Sequence, residues 1–314
     1  MMVEGLQNQE EPVCGAWQRL MQAVLIFFLA IAALLTTRSM LPPPQNDSLE
    51  PQVRALSLQV EKLKQEQAMP SFVLNRYRDS ICYIFGIYNI GFPHHRALTR
   101  TRISGTGFVV AGGLIATNRH VAEPWYGDPE SDALLANGAH PTLEKMVAYF
   151  PGFAAPVNLT SATLSSDGDL AIVRMTDLAA ANLPALPLAG EKPNPGELVA
   201  VVGYPMGVLG MMAKAPTPVY ARLVFRHDDQ GTASELAALS LIRPSATCGH
   251  LGDVVGDKLI YDAPTAHGAS GGPVFNARGE VIGVNAAYID GFSGGTLGVS
   301  SEALKPLIER AQLK

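Results

Sequence analysis

The segment HGASGGPVF, residues 267–275, carries the most specific short pattern in the chain, a serine set among glycines with a proline behind it. Gly268 frees the backbone to turn, so that the N–H groups of Gly268 and Ser270 can converge on one point and stabilise a developing oxyanion. Gly271 and Gly272 leave room for a substrate chain and a returning strand. A serine hydroxyl is a weak nucleophile at its own pKa and needs a base, and an acid to orient that base. His120 follows a strand pair in GTGFVVAGGLIATNRHVAE, at a strand-to-turn boundary that presents a side chain rather than burying it. Asp169 opens the apolar run DLAIVRM, where a carboxylate must find a hydrogen-bond partner or stay at the rim; Asp167 is its close rival. Together these residue types support acyl transfer. Taken singly, each has an ordinary reading as a surface histidine, a turn acid and a glycine-rich loop.

The elements that must hold these residues are strands. From about Ser71 the chain breaks into short apolar runs separated by Gly, Pro, Asn and Asp, the pattern of an antiparallel all-β domain. ICYIFGIYNI, SGTGFVVAGGLIATN, DLAIVRM, GELVAVVGYP, KLIYDA and GEVIGVNAAY are the clearest of them. Strands with almost no helix between them point to barrels or a sandwich. The end of the chain, 301–314, has Leu304, Leu307, Ile308 and Leu313 at helical spacing and reads as a closing helix.

Ahead of the strands, residues 20–37 form an uncharged helix of roughly 27 Å, apolar on every face, which is read as a transmembrane anchor. A signal-peptidase site near Ala30-Ile31-Ala32 is the alternative. The tail 1–19 precedes it. Residues 38–70 follow as a proline-rich spacer, LPPPQNDS, and a short helix in which Leu49, Val53, Leu56, Val60 and Leu63 make a heptad seam. That seam either joins two copies or lies on the body, and Pro70 is expected to end the helix. One arginine at each end of the anchor leaves its orientation open by charge.

The formal net charge of -5 over 314 residues offers no broad positive field for phosphates, which argues against nucleic acid as a principal partner. With Cys14, Cys82 and Cys248 scattered, no zinc site is expected, and neither a metal nor a cofactor. Cys82 and Cys248 are the one pair that could share an oxidising compartment, with two free thiols as the other reading.

In the order His, Asp, Ser the segments resemble the trypsin/chymotrypsin superfamily. TGFVV...IATNRHV, DGDLAIVRM, LPALPLA...PGELVAVVGYPMG and GASGGPVFNARGEVIGVN resemble, block by block, bacterial HtrA/Deg-type proteases over roughly Gly105 to Ser301. The resemblance implies a trypsin-like fold of two six-stranded antiparallel β-barrels, about 71–190 and 191–301, within a protease domain 71–314. It places the general base on His120, the orienting acid on Asp169, the nucleophile on Ser270 and the oxyanion donors on Gly268 and Ser270. It frames a substrate pocket with Pro264, Thr265, His267, Asn285, Ala286, Ala287 and Gly298, with no acid at its base, so a small or medium uncharged residue is expected before the scissile bond. Arg119 and Ala269 depart from the family pattern, and no peptide-binding PDZ domain is expected after Lys314. Residues 226–256 read as an inserted loop. The function implied is a membrane-tethered serine endopeptidase acting on proteins or peptides, single-pass in the inner membrane with its protease domain in the periplasm. A latent protease-like domain that only binds peptides is the alternative.

Overall fold

Short runs rich in Ile, Val, Phe and Tyr, cut by glycine and proline turns, close into two antiparallel barrels in the computed structural model, which describes residues 14–40, 49–92, 98–177, 180–288 and 295–313. The first barrel comprises β1 (Ile81–Gly91), β2 (Leu98–Ala111), β3 (Leu114–Thr117), β4 (His140–Tyr149), β5 (Val157–Leu164) and β6 (Ala171–Met175). Its order is β1-β2-β3-β6-β5-β4, with β4 returning to pair with β1. The second comprises β7 (Leu198–Gly203), β8 (Ser245–Val255), β9 (Lys258–Tyr261), β10 (Pro273–Asn276), β11 (Val281–Tyr288) and β12 (Thr296–Ser300), closed by β10 on β7. Closure leaves no unpaired edge. The all-β reading and the two six-stranded barrels are therefore as expected.

Two clusters of buried side chains fill the barrels, and a third runs between them through Tyr83, Phe108, Tyr149, Tyr204 and Phe275. Tyr204 joins the barrels directly: its hydroxyl donates to the carbonyl of Ile81 at 3.0 Å, and burial pushes the phenol pKa up, keeping it a neutral donor. The closing helix α8 (Leu304–Gln312) packs on β3, β5 and β6, so the last element of the chain braces the first barrel. It buries Leu304, Leu307 and Ala311, one stripe at three- and four-residue spacing, while Leu313 lies outside the helix and exposed. Leu307 is 1% exposed, so Leu307→Ala is expected to cost about 2–5 kcal/mol, read from urea denaturation at unchanged slope.

The chain forms two compact units, Met1–Glu61 and Lys62–Lys314. In the first, helix α1 (Cys14–Met40) contains a 20-residue stretch, Trp17–Thr36, of mean hydropathy 2.1 and entirely exposed, long and apolar enough to cross a bilayer. The proline-rich spacer 41–48 lies outside the described residues. Helix α2 (Leu49–Tyr77) differs from the expectation, because it continues through Pro70. The proline removes one helical N–H and costs about 3 kcal/mol. Met69 and Val73 on either side are buried in the core cluster, which offsets that at about 1.5–3 kcal/mol each. The Glu66 carbonyl, left without its helical donor, has the Cys248 thiol 4.0 Å away. Cys82 is buried and Cys248 half-buried, and both are free, so the bridge does not form.

The 226–256 segment is likewise not a loop. Residues Asp229–Ala238 form helix α7, with Thr232, Ala233, Leu236 and Ala237 buried on one face, and Ser245–Val255 is β8, hydrogen-bonded on both sides. Two further short helices, α5 (Gly207–Ala213) and α6 (Thr217–Leu223), precede them, so a helical insertion separates β7 from β8. β8 is rich in Gly and polar residues, and its strand conformation comes from two paired neighbours rather than from propensity.

Candidate active site

Every candidate catalytic residue lies on a turn that leaves or enters a strand. β3 ends at Thr117, and Asn118 starts a single helical turn, α3 (Arg119–Ala122), that lifts His120 off the barrel end. Asp169 sits just before β6, held to that turn from both sides. Its Oδ1 accepts the backbone N–H of His120 at 3.0 Å, and its carbonyl accepts Asn118 Nδ2 at 2.8 Å. The other carboxylate oxygen, Oδ2, is 2.8 Å from His120 Nδ1. With that nitrogen facing a carboxylate, Nε2 is the ring atom left to accept a proton. Asp167 has no such contact; its N–H turns to the Ser165 hydroxyl.

Arg119, next to His120, buttresses the loop that carries Asp169. It donates from Nη1 to the Ser165 carbonyl at 2.9 Å and from Nε to Glu123 at 2.7 Å, and its guanidinium covers the Tyr126 ring at 4.0 Å.

Ser270 stands on the turn entering β10 and shares with His120 a cleft of about 400 Å³ lined by Thr265, Ala266, His267, Asn285, Ala286 and Ala287. The Ser270 hydroxyl donates to the Ala286 carbonyl at 3.0 Å, so in this conformation its proton points along β11 and not at the imidazole. Gly268, at φ +90, takes a backbone conformation that a side chain would oppose, and a Cβ there would come within 2.5 Å of the Tyr204 carbonyl. The N–H groups of Gly268 and Ser270 have no acceptor among the described residues.

Of the residues expected to frame the pocket, Thr265, His267, Asn285, Ala286 and Ala287 line the cleft. Pro264 and Gly298 do not. The Pro264 carbonyl turns outward to accept the Thr247 hydroxyl at 2.7 Å, and Gly298 abuts the Tyr261 ring, where a Cβ would lie 3.1 Å away. Gly298 instead borders a neighbouring cavity of about 520 Å³ that also reaches Asp167, Asp257, Lys258 and Arg310. Asn285 is 1% exposed and saturated: Tyr261 donates to its Oδ1 at 2.7 Å, while its Nδ2 donates to Ala269 O at 3.0 Å and Thr265 Oγ1 at 3.3 Å. With its amide spent on the Ala269 carbonyl, Asn285 holds the serine turn from beneath. Among the described residues no acid lines the cleft, and no cluster suited to a metal ion occurs.

Sequence reading overlooked Thr106. This fully buried β2 residue donates its N–H to the Ser270 carbonyl at 2.7 Å and its hydroxyl to the Gly268 carbonyl at 2.7 Å, and its own carbonyl accepts the Thr117 hydroxyl at 2.7 Å. It therefore ties the serine turn of the second barrel to the first. A lone threonine inside the strand run SGTGF gives no signal of that role, since its partners in the serine turn are more than 160 positions away.

Comparison with known proteins bears on the same residues. The trypsin-like peptidase domain family matches residues 105–284. A probable periplasmic serine endoprotease, DegP-like, of Chlamydia muridarum is 30% identical over 215 residues, covering 67% of this chain and 34% of its own length. The putative serine protease HhoB of Synechocystis is 29% identical over 194 residues, 60% of this chain and 35% of its own. The chain thus spans about a third of the length of these two relatives. Among solved structures, the active form of the Rv3671c protease from M. tuberculosis aligns with TM-score 0.49 at 18% identity, covering 77% of this chain and 85% of that one.

Proposed function

The chain belongs to the trypsin-like peptidase family, and on that premise we propose that it is a membrane-tethered serine endopeptidase with His120, Asp169 and Ser270 as its triad. The observation that carries this reading is the double contact between His120 and Asp169 at 2.8 and 3.0 Å, on the lip of the cleft that Ser270 also lines. Asp169 holds the proton on Nδ1. A rotation of the Ser270 side chain from the Ala286 carbonyl toward His120 lets Nε2 take the hydroxyl proton as Oγ attacks the peptide carbonyl carbon. The oxyanion is received by the N–H groups of Gly268 and Ser270. His120 then returns the proton to the departing amine, and water, deprotonated by the same imidazole, releases the acyl group. A small or medium uncharged residue before the scissile bond suits a cleft walled by Thr265, Ala266, Ala286 and Ala287, with no acid among the described residues that line it.

The exposed apolar stretch of α1 supports a single-pass anchor, and the likeness to a probable periplasmic endoprotease of Chlamydia supports placing the body in the periplasm, outside the inner membrane. On α2, Leu49, Val53, Leu56, Val60 and Leu63 are each close to half exposed or more, which supports self-association through that seam in the membrane. Val53→Lys with Val60→Lys is expected to convert a cross-linkable dimer to monomer in detergent micelles; a wild-type chain that never cross-links removes the proposal.

A second reading, a latent peptide-binding domain, draws on the Ser270 hydroxyl bonding to Ala286 rather than to His120. Fluorophosphonate labelling of the full chain in detergent, with casein and a peptide library as substrates, separates the two. Labelling with cleavage after small uncharged residues is the expected result. Dominant cleavage after Lys, Arg or Glu contradicts the pocket assignment, and a folded chain that neither labels nor cleaves is latent.

A further inference from the structure

In a trans peptide the carbonyl of one residue and the N–H of the next point to opposite sides, and no cis bond occurs among the described residues. Whatever holds the carbonyl of Ala269 thus directs the N–H of Ser270. Whatever holds the carbonyl of His267 directs the N–H of Gly268. The first is held within the second barrel, by Gly272 N and Asn285 Nδ2, both at 3.0 Å. The second is held from outside it: the N–H of Met206, at the head of α5, donates to the His267 carbonyl at 2.6 Å.

Met206 has φ 62, a left-handed backbone unusual for a methionine, and its side chain is 57% exposed. Its packing therefore does not explain the strained backbone, whereas the direction of its N–H does. Such conformations persist where the surroundings over-determine them. Here the surroundings are Thr106 and the first barrel. The Thr106 hydroxyl accepts Tyr204 N at 3.1 Å while donating to the Gly268 carbonyl at 2.7 Å, and the Tyr204 carbonyl accepts Gly207 N at 2.9 Å. Gly207 in turn lies so close to β2 that a Cβ would meet the Ser104 hydroxyl at 2.5 Å. The turn 204–207 is wedged between β2 and the 267–268 peptide.

We propose that Met206 and Thr106 are positioning residues for the oxyanion hole, the first aiming the Gly268 N–H and the second fixing the far side of Gly268. The head of the helical insertion then belongs to the apparatus that stabilises the transition state. This inference rests on Ser270 being the nucleophile. Losing one aligned oxyanion donor lowers kcat by about 10²–10³, and partial misalignment by less. Because the donor acts on the transition state, KM is expected to stay nearly constant.

The test uses the full chain in detergent, with active sites titrated by fluorophosphonate. Met206→Val, whose β-branched side chain opposes positive φ, is expected to lower kcat per titrated site by about 10-fold or more, with KM within about twofold. A peptidyl trifluoromethyl ketone, which forms the same oxyanion on binding, is expected to weaken by the same factor. Met206→Gly, which keeps the left-handed backbone at no steric cost, retains about tenfold more turnover than the valine variant. Thr106→Val repeats the loss and Thr106→Ser recovers most of it, which keeps the question answerable if the valine variant at 206 does not fold. Glycine and valine at 206 falling alike, or kcat dropping without a matching loss of ketone affinity, overturns the proposal. A wild-type chain that neither labels nor turns over instead shows the triad reading itself to be wrong, and this inference falls with it.

Discussion

Ser270→Ala is expected to lower kcat by about 10⁶, abolish fluorophosphonate labelling and leave the melting temperature unchanged. The side chain is partly exposed in the cleft, its one hydrogen bond is to the Ala286 carbonyl, and the turn that carries it is held by backbone groups and by Thr106, none of which alanine disturbs. His120→Ala is expected to cost about as much, because without an acceptor for its proton the hydroxyl is no better a nucleophile than water. Asp169→Asn is expected to lose less, about 10⁴, since its amide can still meet the imidazole but favours the wrong tautomer. That order, serine and histidine equal and the acid behind them, is the signature of a unit acting together. Casein cleavage surviving in Ser270→Ala at the wild-type rate would remove Ser270 from the site.

Gly271→Ala is the largest effect expected on stability. Gly271 has φ +87, and a Cβ there would lie 2.0 Å from the Thr106 carbonyl and 2.2 Å from the Thr117 hydroxyl. The left-handed backbone alone costs alanine about 1–2 kcal/mol. The clash adds more, because neither contact is the free end of a flexible chain. The Thr106 carbonyl is backbone, and the Thr117 hydroxyl is already bonded to it at 2.7 Å. Relief requires the serine turn to back away from the first barrel, breaking the two Thr106 hydrogen bonds at 2.7 Å. A total of about 4 kcal/mol or more, or a fall in Tm of about 8–16 °C, is expected in thermal unfolding. Gly256, also at positive φ but with nothing within 4 Å, serves as the control, and its alanine variant is expected to lose only the backbone cost. Equal losses at the two positions would mean that the junction between the barrels yields freely. The room at Gly271 and Gly272, expected from sequence to admit a substrate chain, is in fact filled by the first barrel and by the Val202 carbonyl, 2.4 Å from a Cβ on Gly272.

Much of the site was legible because its chemistry is written in local strings. A serine between glycines, a histidine after a strand pair and an aspartate before an apolar run each announce a turn at a strand end, where a polar side chain can be presented. The strands richest in Ile, Val and aromatic residues were legible for the same reason, since period-two alternation and full burial are properties of a short window. β4, β5 and β8 were harder. Their polar and glycine residues carry no strand signal, and pairing with β1, β6, β7 and β9 makes them strands.

Sequence by itself determined the residue types of an acyl-transfer site, their order along the chain, the all-β body and an apolar helix ahead of it. Tertiary structure alone decided that Pro70 lies inside a helix, that Pro264 and Gly298 stay out of the cleft, and that the 226–256 segment is helix and strand. It also decided what holds the serine turn, namely Thr106, Met206 and Asn285. The physical reason is common to all of these. Each depends on hydrogen bonds and packing between residues far apart in the chain, such as the pair Thr106 and Gly268, 162 positions apart, and no local window of sequence records which distant partner will satisfy a buried polar group.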